Sequence, residues 1–262
     1  MNFTDIIILI STGLIAGFLS GFLGIGGGVI VVPILYNYLY GKVDDLFLVV
    51  STVSLGVVLV AASKASYHYI RRGKYYKQAL IPVGLGALTG PILGNLLCGL
   101  VCDMNRILFF SAITAILAIR LMAGKDKEKE ENNPEFDKSK MFLFGVIMGM
   151  ISAMTGTGGG FILVPLLVIF LDFNPKKAVG VSSIVMILNP VSSLIGRFYM
   201  GVFDSFPVSD FLIYFSIISA GTLVTSKLGV SMNIKASNKQ FKYAAGMIYL
   251  FIAVQMYYKA VW

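Results

Sequence analysis

The stretch Gly17-Phe-Leu-Ser-Gly-Phe-Leu-Gly-Ile-Gly-Gly-Gly-Val-Ile-Val-Val-Pro33 returns as Gly149-Met-Ile-Ser-Ala-Met-Thr-Gly-Thr-Gly-Gly-Gly-Phe-Ile-Leu-Val-Pro165, at a constant offset of 132. Ser20 matches Ser152, Gly24 matches Gly156, Gly26 to Gly28 match Gly158 to Gly160, and Pro33 matches Pro165. Self-similarity of this kind marks a duplicated structural unit. At an offset of 131, Val50-Ser51-Thr52 pairs with Val181-Ser182-Ser183, and further on Leu93-Gly94 pairs more loosely with Leu228-Gly229. The chain divides accordingly into a first repeat over 1–123, a polar linker over 124–140 and a second repeat over 141–262.

Around these stretches the sequence is apolar. Of 262 residues, 57% are hydrophobic in type and only 13% are charged, about half the usual charge of a soluble domain. With a mean hydropathy of +0.84, lipid is the expected solvent. The net charge of +8 does not argue for nucleic acid, because the basic residues gather in loops between apolar runs. No basic segment precedes the first apolar run, so that run is read as structural rather than as a removable signal. Cys98 and Cys102, four apart in an apolar segment, read as packing thiols.

The apolar runs cover about Thr4–Tyr40, Leu46–Tyr69, Ala79–Cys102 and Arg106–Ala123, then Met141–Leu171, Ala178–Met200, Val208–Val230 and Phe241–Ala260. The last three of each set read as ordinary transmembrane helices. A continuous helix over the first, from Thr4 to Tyr40, would rise about 55 Å against a hydrocarbon core of about 30 Å. It must break, and the three consecutive glycines are the place, since each costs about 1 kcal/mol in a helix relative to alanine. Each long run is then either a bent span or a down-and-back pair.

Basic residues choose between these. With five elements per half the second repeat is inverted, and 17 of the 21 Lys and Arg fall on the cytoplasmic side, leaving Lys42, Arg106, Arg197 and Lys259 outside. Four elements per half give 13 against 8. The positive-inside rule prefers the first arrangement. The fold expected is an all-α polytopic membrane protein of two inverted repeats, each of about five helical elements including a Gly-broken or re-entrant pair. It sits in the plasma membrane, with the linker cytoplasmic and both termini outside.

Inverted repeats with interrupted helices at matching positions point to a transporter whose site lies near the bilayer midplane. Irregular backbone at that depth is tolerated only where protein or a wet cavity satisfies it. A helix restarting at Gly28, and another at Gly160, would turn free N–H groups and the positive end of the dipole toward the break. Two such starts face to face suit a small anionic substrate without any basic side chain. The competing reading is that the glycines only allow close helix packing. A nucleotide phosphate loop is disfavoured, because neither glycine tract leads into Lys-Ser or Lys-Thr. The substrate-binding set expected is Ser20, Gly24, Gly26, Gly27, Gly28, Ser51 and Thr52 with Ser152, Gly156, Thr157, Gly158, Gly159, Gly160, Ser182 and Ser183; their hydroxyls could donate to oxyanion oxygens. Ser54 and Thr155 are further hydroxyls of the same stretches. Pro33 and Pro165 bend or end the restarting helices and carry no chemistry.

The repeated pattern Gly-x-x-Ser-Gly-x-x-Gly-x-Gly-Gly-Gly-x-x-x-x-Pro, followed by a Ser-rich helix, resembles the sulfite exporter TauE/SafE family, also called TSUP permeases. The resemblance runs over nearly the whole chain. Its motif falls on Gly17, Gly21, Gly24, Gly26, Gly27, Gly28 and Pro33, then on Gly149, Gly156, Gly158, Gly159, Gly160 and Pro165, with Ala153 standing where the first repeat has Gly21. The resemblance implies a permease for sulfite, thiosulfate, a sulfonate or a related organic anion.

All 13 Asp and Glu fall in termini, loops or helix ends, which leaves no carboxylate for a midplane proton relay. For a monoanion, a potential negative inside favours exit by about 2.3 kcal/mol per 100 mV. The single His, His68, reads as an interfacial anchor beside Arg71 and Arg72. Lys64 and Lys227 read as snorkelling cations, with a role in attracting anions as the alternative. An intramembrane enzyme needs a nucleophile with a base, an acid pair or a metal site, and none is visible. No cofactor or metal is expected. A noncatalytic membrane scaffold stays open as the rival class, as does a homo-oligomeric state.

Overall fold

The computed structural model describes residues 3–41, 43, 45–98, 103–123 and 136–261. Among these every regular element is helical: α1 Phe3–Leu23, α2 Gly28–Leu39, α3 Leu46–Arg71, α4 Lys77–Cys98, α5 Asp103–Ala123, α6 Lys138–Thr155, α7 Gly160–Phe170, α8 Pro175–Val185, α9 Leu188–Tyr199, the short α10 Val202–Ser205, α11 Val208–Lys235 and α12 Asn238–Val261. Linker residues 124–135, Cys102 and the side chain of Cys98 lie outside the described residues. Asp137 caps α6 by accepting from the Ser139 and Lys140 amides; those bonds, the Lys140 one first, hold its carboxyl below the usual carboxylate range.

Both glycine tracts break their helices. After Leu23 the chain turns and doubles back. Gly27 comes to rest against Ala16, and Tyr38, near the end of α2, hydrogen-bonds Asp5 at the start of α1. The second tract repeats this, with Gly159 returning to Met148 and Ser152. The geometry needs glycine, because Gly26, Gly27, Gly158 and Gly159 sit at φ of 76°, 76°, 82° and 81°, where an L side chain is strained. Pro33 and Pro165 lie inside α2 and α7, which continue past them to Leu39 and Phe170. They therefore bend rather than terminate these helices.

Small residues bring the long helices together. Gly13 packs on Gly221, Gly17 on Thr222 and Gly21 on Ser226, so α1 and α11 run in the same direction. Gly86 packs on Gly145, Gly90 on Gly149 and Gly94 on Ala153, so α4 and α6 also run alongside in one direction. Without a Cβ the backbones approach closely enough for extended dispersion contact, which is what holds helices together in lipid. α3 follows α1 and α11: Tyr69 reaches Gly21, Arg72 reaches Ser231, and Gly56 packs on Phe211 and Phe215. α8 and α9 follow α4, with Gly180 on Lys74, Gly84 near Leu188, and Ser192 donating to the Leu88 carbonyl. A ring cluster of Phe110, Phe161 and Tyr249 ties α5, α7 and α12 together.

One helix departs from expectation. The run over Ala178–Met200 reads as a single transmembrane helix, but it is broken between α8 and α9 at Met186 and Ile187. Pro190 explains the break: it has no N–H to give the Met186 carbonyl, and its ring collides with that carbonyl in a regular helix. Among the described residues, five stretches are long and apolar enough to cross a membrane: Phe3–Leu23, Leu46–Arg71, Lys77–Leu97, Pro175–Tyr199 and Val208–Lys235. Their outward faces are apolar, as on α4, where Ile81, Leu85, Ile92 and Leu96 are each at least half exposed. Such a surface is stable against lipid and a liability in water.

Candidate functional site

The two glycine breaks meet. Gly28, the first residue of α2, packs on the backbone of Gly156 and Thr157, while Gly160, the first residue of α7, packs on Gly24 and Ile25. A Cβ at Gly26 or at Gly158 would run into both Val58 and Met186. Val58 lies midway along α3, and Met186 lies at the α8–α9 break, so the meeting point is at mid-height of the bundle. With Ala62 these two form a small apolar cluster separate from the main core. It fills the space between the tracts.

Each restarting helix lacks a side-chain cap. The amides of Ile30 and Val31 close on the Gly27 carbonyl at 3.0 and 3.1 Å, and those of Ile162 and Leu163 close on Gly159 at the same distances. The amides ahead of them, of Gly28 and Val29 and of Gly160 and Phe161, belong to the first turn, which has no intrahelical partner to offer. Two positive helix ends thus converge in a place where the dielectric is low and charge interactions are strong.

The carbonyls of the breaks are held from the neighbouring helices. Ser54 Oγ donates to the Gly156 carbonyl at 2.7 Å and Ser182 Oγ to the Gly24 carbonyl at 2.9 Å. Asn189 Nδ2 donates to the Gly158 carbonyl at 3.0 Å. These contacts correct the register read from sequence. Ser182 is the counterpart of Ser54, not of Ser51, as Met186 is of Val58. Ser51 instead packs its Cα and Cβ on Gly156, where Val179 packs on Gly24.

The remaining expected residues divide by what their hydroxyls do. Ser51 and Thr52 donate back to the Leu48 carbonyl at 3.0 and 2.7 Å, a common fate of hydroxyls within helices. Thr157 pairs with Thr155 at 2.9 Å. Ser20 is buried near the end of α1. Ser152 and Ser183 are 0% and 1% exposed, and neither Oγ has a hydrogen-bond partner. A buried hydroxyl left so costs about 1–3 kcal/mol, and Ser152 has its Cβ beside Gly159 at the start of α7.

Two residues that sequence reasoning did not place in the site are buried toward the opposite ends of α3. Arg197, counted among the exterior cations, is fully buried: Nη1 donates to the Leu48 carbonyl at 2.8 Å and to Thr52 Oγ1 at 2.7 Å, and Nη2 to the Ala153 carbonyl at 2.6 Å. Tyr69, also fully buried, donates from its hydroxyl to the Gly21 carbonyl at 2.9 Å. The signal for Arg197 was a lone cation ahead of an aromatic pair in a proline-containing apolar run, which by hydropathy alone reads as a helix end. Among the described residues no carboxylate is buried. His68 stands near the end of α3 with Lys64, Arg71, Arg72 and Lys227 as the charges acting on it. That cluster is remote from Val58.

Comparison with known proteins finds membrane transporters. A probable membrane transporter protein of Haemophilus influenzae is 27% identical, over 98% of this chain and all of the relative. Another of Methanocaldococcus jannaschii is 28% identical over 90% of this chain and 89% of its own, and YunE of Bacillus subtilis, also a probable membrane transporter protein, is 23% identical over 97% and 98%. Residues 9–256 match the family described as sulfite exporter TauE/SafE. With paired glycine breaks at the heart of a membrane-type helical bundle and a match over nearly its whole length, the chain belongs to the sulfite exporter TauE/SafE family of membrane transporters.

Proposed function

We propose that this chain carries a small oxyanion, such as sulfite, thiosulfate or a sulfonate, across the plasma membrane, and that the anion is held where the two glycine breaks meet. The observation that carries the reading is the mutual contact of the breaks at mid-height, with uncapped helix starts at Gly28 and Gly160 and an unpartnered Ser152 hydroxyl beside the second. Helix starts favour negative charge, and amides fixed by the fold replace hydration without reorganising.

The halves are read as inverted repeats. In support, α1 and α3 run against α6 and α8–α9: Thr52 lies by Arg197 and Val58 by Met186, so the numbers fall along one helix as they rise along the other. The ends of α3 and α11 and the starts of α4 and α8 share one face, where Arg72, Lys74, Lys77, Lys176 and Lys235 gather, which suits the cytoplasmic side. On this reading both termini are outside and the linker is inside. The absence of a buried carboxylate among the described residues favours movement down the electrochemical gradient over proton coupling. The Val58–Met186 cluster makes the present state a closed one, and passage requires it to part.

Purified protein in proteoliposomes, tested for uptake of radiolabelled sulfite, thiosulfate and sulfoacetate, decides the matter. The informative variant is Ser152→Ala, which removes an oxygen with no protein partner and leaves folding intact. A raised half-saturation concentration is expected. Unchanged kinetics in this variant would remove Ser152 from the site, and no flux of any anion by the wild type would favour a membrane scaffold.

A further inference from the structure

Arg197 and Tyr69 tie down corresponding places. Arg197 bonds to the carbonyl of Ala153, three residues before Gly156; Tyr69 bonds to the carbonyl of Gly21, three residues before Gly24. Arg197 lies level with Leu48, and Tyr69 lies near the other end of α3, each about 15 Å along the helix from Val58. The two therefore close the candidate path from opposite ends. Their chemistry differs. Tyr69 makes its tie with a neutral phenol, so a tie of this kind needs no charge, and burying a guanidinium to make one is costly.

A guanidinium does one thing that a phenol does not. It binds an oxyanion in preference to a carbonyl, because two opposite full charges attract in the low-dielectric interior more strongly than a charge and a neutral dipole. Its planar fork also matches two oxygens at once. The three oxygens that Arg197 holds from α3 and α6 are neutral ones. Both elements border the second break: Ser51, next to Thr52, packs on Gly156, and Ala153 leads into it.

Resting on the transport reading above, we propose that Arg197 is an anion-operated latch and a specificity-determining residue. The arriving oxyanion takes the guanidinium from the Leu48 and Ala153 carbonyls, which frees α9 from α3 and α6 and opens that end. The Tyr69 end opens without help from the anion. Passage through the Arg197 end is then selective for oxyanions that offer the fork two oxygens, while passage past Tyr69 is indifferent to them.

The test measures initial flux of labelled sulfite against concentration for wild type, Arg197→Lys, Thr52→Val and Tyr69→Phe in proteoliposomes. Arg197→Lys keeps the charge and loses the fork. It is expected to raise the half-saturation concentration about tenfold, the scale of one lost charge-assisted bond. Thr52→Val removes one neutral competitor for the guanidinium and is expected to lower the half-saturation concentration. Tyr69→Phe is expected to alter maximal flux and leave half-saturation unchanged. Should Arg197→Lys fail to fold, Thr52→Val still decides, because a purely structural bond predicts an unchanged or raised value there. Wild-type flux with half-saturation unaltered in both Arg197→Lys and Thr52→Val overturns the latch alone. Absence of wild-type flux with any sulfur oxyanion overturns the transport reading and the latch together.

Discussion

Tyr69 and Arg197 are 128 residues apart and donate to the carbonyls of Gly21 and Ala153, which are 132 apart. Duplication preserved the tie and changed the group that makes it. Tyr69→Phe strips the hydroxyl and leaves the Gly21 carbonyl without that bond in an apolar interior. A loss of about 1 kcal/mol of stability is expected, read as a lowered unfolding midpoint in detergent.

The register of α3 against α8 can be tested by three single substitutions. Ser54→Ala and Ser182→Ala each strand a carbonyl of a glycine break, and each is expected to destabilise by about 1–3 kcal/mol. Ser51→Ala removes only a bond back along its own helix and should cost a few tenths of that. Equal losses for Ser51 and Ser182, with none for Ser54, would restore the pairing that the sequence suggests. Chemical denaturation in mild detergent separates the two patterns.

Two glycines of α4, one half-turn apart, should answer alanine in opposite ways. A methyl group at Gly86 would press into the backbone of α6 at Phe142 and Val146, whereas at Gly84 it would meet only the flexible end of Leu188 at 3.2 Å. Gly86→Ala is expected to cost about 1–3 kcal/mol through overpacking. Gly84→Ala should be neutral or slightly stabilising, since alanine is the better helix former. Unfolding midpoints of the two proteins suffice to compare them.

Pro190→Ala supplies the N–H that the Met186 carbonyl lacks and should let α8 and α9 join. Slower amide exchange at residues 186–191 is expected, together with lower flux, because the Val58–Met186 cluster would then be backed by a stiff helix. Exchange that stays fast after the substitution would show that the break is imposed by packing and not by proline.

Much of the fold was written in order along the chain. The repeat at an offset of 132 is visible because Gly24, Gly26 and Gly27, like Gly156, Gly158 and Gly159, adopt positive φ, which only glycine does without strain. The need for a break followed from helix rise against bilayer thickness. The α8–α9 break was also there to be read at Asn189-Pro190, but α4 holds Pro82 and Pro91 and is not broken, so proline alone is an ambiguous sign.

What the sequence determined by itself is what depends on local geometry and on the choice of solvent: helices, the glycine turns and an apolar exterior. The tertiary structure decided which hydroxyls are spent on carbonyls, that Ser152 is left over, that Val58 and Met186 fill the centre, and that Arg197 is buried rather than at the surface. The reason is physical. A hydrogen bond or a buried charge is settled by its partner, and Arg197 finds its acceptors at Leu48, Thr52 and Ala153, far away along the chain and adjacent only once the helices have packed.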